Sequence, residues 1–118
     1  MNSDEGQILD AFIDTIWIEK GLSQNTLNSY KSDTEKYLLW LSNNSLSYKK
    51  VSRADILQYL AYLFSQKLGS KSVARKLSSL RVFYKYLVVK NILSTDPCEK
   101  VETPKIMKSI PKTLDEKE

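Results

Sequence analysis

Between Asp4 and Lys20 the apolar residues Leu9, Phe12, Ile13 and Ile16 recur three and four apart, the spacing that lines one face of an α-helix. Gly21 ends that helix. Ser23, a good N-cap, precedes a second stripe of Leu27, Tyr30, Tyr37, Leu38 and Leu41, so a second helix runs to about Leu41. Thr34 stands at the centre of this stripe, where an aliphatic residue is expected. A hydroxyl without a partner is costly to bury, which makes Thr34 a weak point that leucine would relieve if the site has room.

From Ser42 to Val51 the chain is polar and asparagine-rich, and reads as the longest internal loop. Ser52 and Asp55 form a capping box, and Ile56, Tyr59, Leu60, Leu63 and Phe64 make a third stripe ending near Leu68. Gly69 fits the position just past that helix. Ser70 or Ser72 then caps a fourth helix with Val73, Leu77, Leu80, Tyr84 and Leu87 on its core side. After Asn91, Pro97, Pro104 and Pro111 each bias the preceding residue toward an extended conformation, and no stripe survives. The expected organisation is therefore an all-α domain over residues 1–95 and an interdomain linker over 96–112. Thr113 and Glu116 make another capping pattern, so residues 113–118 read as the start of a further domain. At roughly 3.3 Å per residue, the linker would reach about 55 Å if fully extended.

Composition narrows the chemistry. The 118 residues are 42% hydrophobic and 27% charged, as in a globular domain that folds in water. With only 3 glycines and 3 prolines, the turns of an all-β fold or the phosphate loops of a nucleotide-binding fold are poorly supplied. There is no histidine, and Cys98 is the single cysteine, so imidazole acid/base chemistry and an internal disulfide are excluded for this sequence. Asp10 and Asp14 lie one turn apart but lack a third ligand, and read as a solvated acidic face. No cofactor, metal or small-molecule substrate is expected. No apolar run approaches a membrane span and the acidic N-terminus is unlike a signal peptide, so the expected location is the cytoplasm.

The formal net charge is only +4, but it is unevenly spread. Residues 1–19 carry five acids and no base, whereas residues 66–90 hold Lys67, Lys71, Arg75, Lys76, Arg81, Lys85 and Lys90 with no acid. On a helical wheel Lys71, Arg75, Ser78 and Ser79 fall opposite the apolar side of the fourth helix. Arginine can read guanine through two hydrogen bonds, lysine pairs with phosphate, and small serines let a backbone approach closely. The second helix presents Asn25, Ser29, Ser32 and Lys36 opposite its own stripe. Two readings stand side by side: a solvated exterior, or a footprint for a polyanion. Tyr30, Tyr37, Tyr59 and Tyr84 sit on apolar stripes and read as packing residues rather than nucleophiles, as do Trp17 and Trp40.

Three blocks carry a family resemblance. They are Phe12-Ile13-Asp14-Thr15-Ile16-Trp17-Ile18-Glu19-Lys20, Leu22-Ser23-Gln24-Asn25-Thr26-Leu27-Asn28-Ser29-Tyr30-Lys31-Ser32-Asp33, and Ser72-Val73-Ala74-Arg75-Lys76-Leu77-Ser78-Ser79-Leu80-Arg81-Val82-Phe83-Tyr84. In that order, with Asp96-Pro97, Thr103-Pro104-Lys105 and Ile110-Pro111-Lys112 after them, they resemble the N-terminal core-binding, SAM-like domain of tyrosine recombinases of the phage integrase family, Xer type. Thr34 departs from the leucine usual in the family. The resemblance implies a four-helix orthogonal bundle of two helical hairpins that forms half of a clamp on duplex DNA at a recombination core site. Matched by position, the DNA-facing residues would be Thr26, Asn28, Ser29 and Ser32 on the second helix, with Lys71, Ser72, Arg75, Lys76 and Ser79 on the fourth. The wheel independently favours Ser29, Ser32, Lys71, Arg75 and Ser79.

The resemblance further implies that the catalytic arginines, lysine, histidines and tyrosine nucleophile belong to a second domain, so this chain would recognise DNA without cleaving it. The intact protein would be a site-specific DNA recombinase serving chromosome dimer resolution, with a sister recombinase (XerC-like) and a septal DNA translocase (FtsK-like) as partners. Two rivals remain: a helical protein-interaction module and a basic module that coats DNA through phosphates alone.

Overall fold

The helix boundaries follow local capping chemistry. In the computed structural model, which describes residues 3–102, the elements are α1 (Ser3–Lys20), α2 (Gln24–Asn43), α3 (Arg53–Ser65) and α4 (Ser70–Val89). Among the described residues there is no strand. Asp4 and Glu5 in the first turn of α1 and Lys20 in its last complement the helix dipole. Gly21 takes φ +58°, and its N–H closes α1 by donating to the Trp17 carbonyl at 3.1 Å. The Ser23 hydroxyl accepts from the Thr26 N–H at 3.2 Å, and the Ser52–Asp55 capping box forms as the sequence predicts.

Two boundaries differ from expectation at the α3–α4 turn. The third helix stops at Ser65 rather than near Leu68, because Lys67, not Gly69, adopts the left-handed backbone, at φ +65°. Gly69 instead has φ −74° and is itself the N-cap of α4, with no side-chain hydrogen bond. Ser70 and Ser72 therefore lie inside the fourth helix rather than capping it.

The first hairpin (α1, α2) packs on the second (α3, α4) mainly through α2 against α4. Leu9, Phe12 and Ile16 of α1, Leu27, Tyr37, Leu38 and Leu41 of α2, Ile56, Tyr59, Leu60 and Leu63 of α3, and Val73, Leu77, Leu80, Phe83, Tyr84 and Leu87 of α4 meet in one core. Phe12 and Phe83 pack edge to face at 5.2 Å, while the Tyr37 and Tyr84 hydroxyls hydrogen-bond across the α2–α4 contact at 2.6 Å. Tyr37 also packs edge to face on Tyr59 at 5.0 Å. The tyrosines thus behave as packing residues, and burial pushes the phenols of Tyr37, Tyr59 and Tyr84 well above their ordinary range.

Other expectations are corrected. Phe64, assigned to the third stripe, is largely exposed, and so is Trp17 at 54%. Trp40 does pack, against Tyr59 at 5.1 Å. The start of the expected linker is part of the bundle: Cys98 and Val101 are buried in the core, and Arg81 donates to the Val101 carbonyl. The Asp96 carboxylate accepts from the Cys98 N–H at 2.8 Å, so a short turn survives beside Pro97. Two apolar residues three apart are too few to register as a stripe. The remainder of the expected linker, 103–112, and the helix start at Thr113 lie outside the described residues.

Thr34 is wholly buried, and its hydroxyl has no hydrogen-bond partner. Thr34→Val keeps the shape and removes the orphaned oxygen, so it should raise unfolding stability by about 1 kcal/mol, read from the urea midpoint. A loss of stability would mean that the hydroxyl is satisfied in solution. The buried phenols give a second prediction. Their folded-state pKa values are raised, so their contribution is intact below the unfolded value of about 10 and is lost as pH climbs above it. Cys98, pushed up to about 12 by burial, adds to this from about pH 9. Stability should therefore fall on the alkaline side, and Tyr59→Phe should make the fall shallower; an unchanged slope would contradict this.

Candidate nucleic-acid interface

The α2–α4 crossing that closes the core also makes a polar seam on its outer side. Thr26, Ser29, Tyr30 and Asp33 share one face of α2 because they stand three, four and seven residues apart. Facing them from α4 are Arg75, Ser78 and Ser79, and together the seven residues line a shallow hollow of about 250 Å³.

Asp33 is the floor of this hollow, only 2% exposed. A buried carboxylate is tolerable only when its charge is balanced and its oxygens are hydrogen-bonded. Both conditions are met. One oxygen, Oδ1, accepts from Arg75 Nη2 at 3.0 Å and from Lys76 Nζ at 3.2 Å, while Oδ2 accepts from Ser79 Oγ at 3.0 Å. One anion thus sits against two cations, leaving the cluster net positive. The two cations differ in exposure. The Lys76 side chain is 9% exposed and the Arg75 side chain 58%, so Arg75 keeps most of its guanidinium in solvent.

The structure sorts the sequence-derived site residues. Thr26, Ser29, Arg75 and Ser79 come together around the hollow, whereas Asn28, Ser32, Lys71, Ser72 and Lys76 do not line it. Thr26, Asn28 and Lys71 are exposed, and Ser29, Ser32 and Ser72 are half-buried. Lys76 and Ser79 need correction as outward-facing residues: they are buried, and both are committed to Asp33. The wheel placed Ser79 on the solvent side because it treats α4 as a lone cylinder, whereas α2 crosses over that position. The hydroxyl of Ser29 donates to the Asn25 carbonyl at 3.2 Å, and Asn28 Oδ1 accepts from Gln24 at 3.0 Å.

Sequence reasoning missed Asp33, which stood in a quoted block without a role. The available signal was an acid on the same helical face as Thr26 and Ser29, at the edge of an apolar stripe. The Ser79 hydroxyl that donates to the Asp33 carboxylate is buried, and among the described residues no three His, Cys, Asp or Glu side chains are grouped to hold a metal. The hollow presents hydroxyls, one partly solvent-exposed arginine and a fixed carboxylate beneath.

The described residues form a small all-α bundle of four helices with this polar seam on one side. The chain belongs to the family described as phage integrase, N-terminal SAM-like domain, whose model matches residues 9–91. It is similar to curated proteins named tyrosine recombinase XerD, the Xer kind that its first block most resembles. Identity to the Shewanella oneidensis protein is 41% over 109 residues, covering 92% of this chain and 36% of that protein. For the Pseudomonas aeruginosa protein it is 36% over 116 residues, covering 98% and 39%. For the Pseudomonas putida protein it is 40% over 109 residues, covering 92% and 37%. The chain therefore spans less than two-fifths of the length of these relatives.

Proposed function

We propose that this domain binds duplex DNA through the α2–α4 seam, as the N-terminal core-binding arm of a site-specific tyrosine recombinase. The observation that carries the reading is Arg75, a solvent-facing guanidinium at the rim of a hydroxyl-lined hollow in a helix without acids. Arginine in that setting can engage a guanine edge in the major groove, while exposed Lys71, one turn earlier, meets phosphate. Thr26, Asn28, Ser29, Ser32 and Ser72 supply short polar contacts around them. Lys76 and Ser79, proposed from the resemblance as DNA-facing, are buried against Asp33 and make no DNA contact in this reading.

In this reading the intact protein carries its strand-cleaving chemistry in a second domain and acts in the cytoplasm on chromosome dimers. Its partners there are a XerC-like sister recombinase and an FtsK-like septal translocase. Family membership and the likeness to proteins named tyrosine recombinase XerD support this assignment. The protein-interaction alternative draws on exposed Trp17 and Ile18, which lie on α1.

Fluorescence anisotropy against a Xer-type core-site duplex and a scrambled duplex, at three salt concentrations, separates the readings. The seam reading expects tighter binding to the core site, weakening steeply with salt; equal binding to both duplexes leaves the nonspecific module. Absence of binding at low salt means either that the second domain is needed or that the protein-interaction alternative holds, and a longer chain decides between them. Arg75→Ala should cost about 1 to 3 kcal/mol on the core site and relax specificity, whereas an equal loss on every duplex makes Arg75 a phosphate contact. Lys71→Ala should lower the salt slope by about 0.9, and an unchanged slope removes Lys71 from the interface.

A further inference from the structure

The carboxylate of Asp33 is almost fully buried and its oxygens are engaged within the bundle, yet it holds a cation whose side chain is 58% exposed. Its two oxygens are fixed by three donors from one helix: Arg75 at 3.0 Å, Lys76 at 3.2 Å and Ser79 at 3.0 Å. An anion so tethered cannot follow a moving guanidinium; the guanidinium must conform to it. Arginine presents its five N–H donors in a rigid planar fork, so holding Nη2 on Asp33 Oδ1 narrows the directions in which the remaining donors can point. Lys76 has a separate task. One cation already balances one carboxylate, and the second leaves the cluster positive while Arg75 stays 58% exposed.

We propose that Asp33 is a positioning residue for DNA sequence discrimination: its carboxylate pins one edge of the Arg75 guanidinium so that the opposite edge meets a base in a fixed direction. The proposal rests on the seam reading above and adds the group that makes Arg75 selective. Pinning before contact lowers the ordering cost on binding and restricts which base geometry is rewarded, so it acts on discrimination more than on overall affinity.

The test compares the core-site and scrambled duplexes by anisotropy for the wild-type chain, Arg75→Ala, Lys76→Met, and the double variant Asp33→Leu with Lys76→Met. The double variant removes one negative and one positive charge, so the net charge of the seam is unchanged and no lone cation is left buried. The expected results are a core-over-scrambled ratio kept within about twofold by Lys76→Met and reduced about tenfold or more by the double variant and by Arg75→Ala, in line with the worth of one bidentate base contact. Adding Arg75→Ala to the double variant should then change the ratio little, because the pin is already gone. A double variant that keeps the wild-type ratio while Arg75→Ala loses it overturns the proposal and leaves the seam reading standing. A wild-type chain without core-site preference, or an Arg75→Ala chain with an unchanged ratio, overturns both.

A measurement on the wild-type chain keeps the proposal falsifiable if the double variant does not fold. Arg75 side-chain NMR should show a guanidinium ordered on the nanosecond scale and slow to rotate, and an Arg75 signal averaged as in a free arginine overturns the pin.

Discussion

A carboxylate under the crossing of two helices constrains most of this molecule. Asp33 is almost fully buried, so α4 must bring Arg75, Lys76 and Ser79 to it, and only one placement of α4 on α2 brings all three. The placement is shared with the core. Four residues along α2 from Asp33 stands Tyr37, whose hydroxyl meets that of Tyr84 on α4, so a polar pair deep in the bundle and an ion cluster near its surface set the same crossing. Removing one partner of such a buried cluster commonly costs about 3 to 5 kcal/mol, which makes the crossing a specified geometry rather than a loose hydrophobic contact.

The same crossing creates the surface. Hydrophobic burial sets which face of α2 and α4 points inward, but as a non-directional term it constrains their crossing less sharply than hydrogen bonds do. The hydrogen-bonded cluster is directional, and it leaves Thr26, Ser29, Arg75 and Ser78 facing one another around a hollow. Stability and the proposed DNA surface thus share an interaction. Among the described residues, the buried side-chain oxygen left without a partner is the Thr34 hydroxyl, which follows Asp33 in sequence and belongs to neither network.

Much of this was legible in the sequence, and the failures have identifiable causes. Stripes of period 3.6 located all four helices, because each buries one face and signals that face through apolar spacing. Thr34 was recognisable as a break in its stripe. Turn chemistry was harder: glycine marks positions where a left-handed backbone is easy, yet at the α3–α4 turn Lys67 adopts it and Gly69 does not. The docking of Cys98 and Val101 was invisible because two residues make no period, and long-range contact decides their burial. At the seam, Arg75 was found as an outward cation, but Ser79 was assigned to solvent through a wheel that knows nothing of the neighbouring helix, and Lys76 was placed on the DNA side through the family resemblance alone. Asp33 was missed for a related reason, since the meaning of a lone acid appears only when its partners arrive from forty residues away.

The account stands or falls on where DNA touches the domain. Backbone amide NMR of the chain titrated with a core-site duplex at low salt measures that directly, residue by residue. The account predicts shifts concentrated in 26–33 of α2 and 71–79 of α4, with the Arg75 side chain among the largest. Shifts centred on Trp17 and Ile18 of α1, or on Tyr62 and Phe64 of α3, with the seam unmoved, would contradict it.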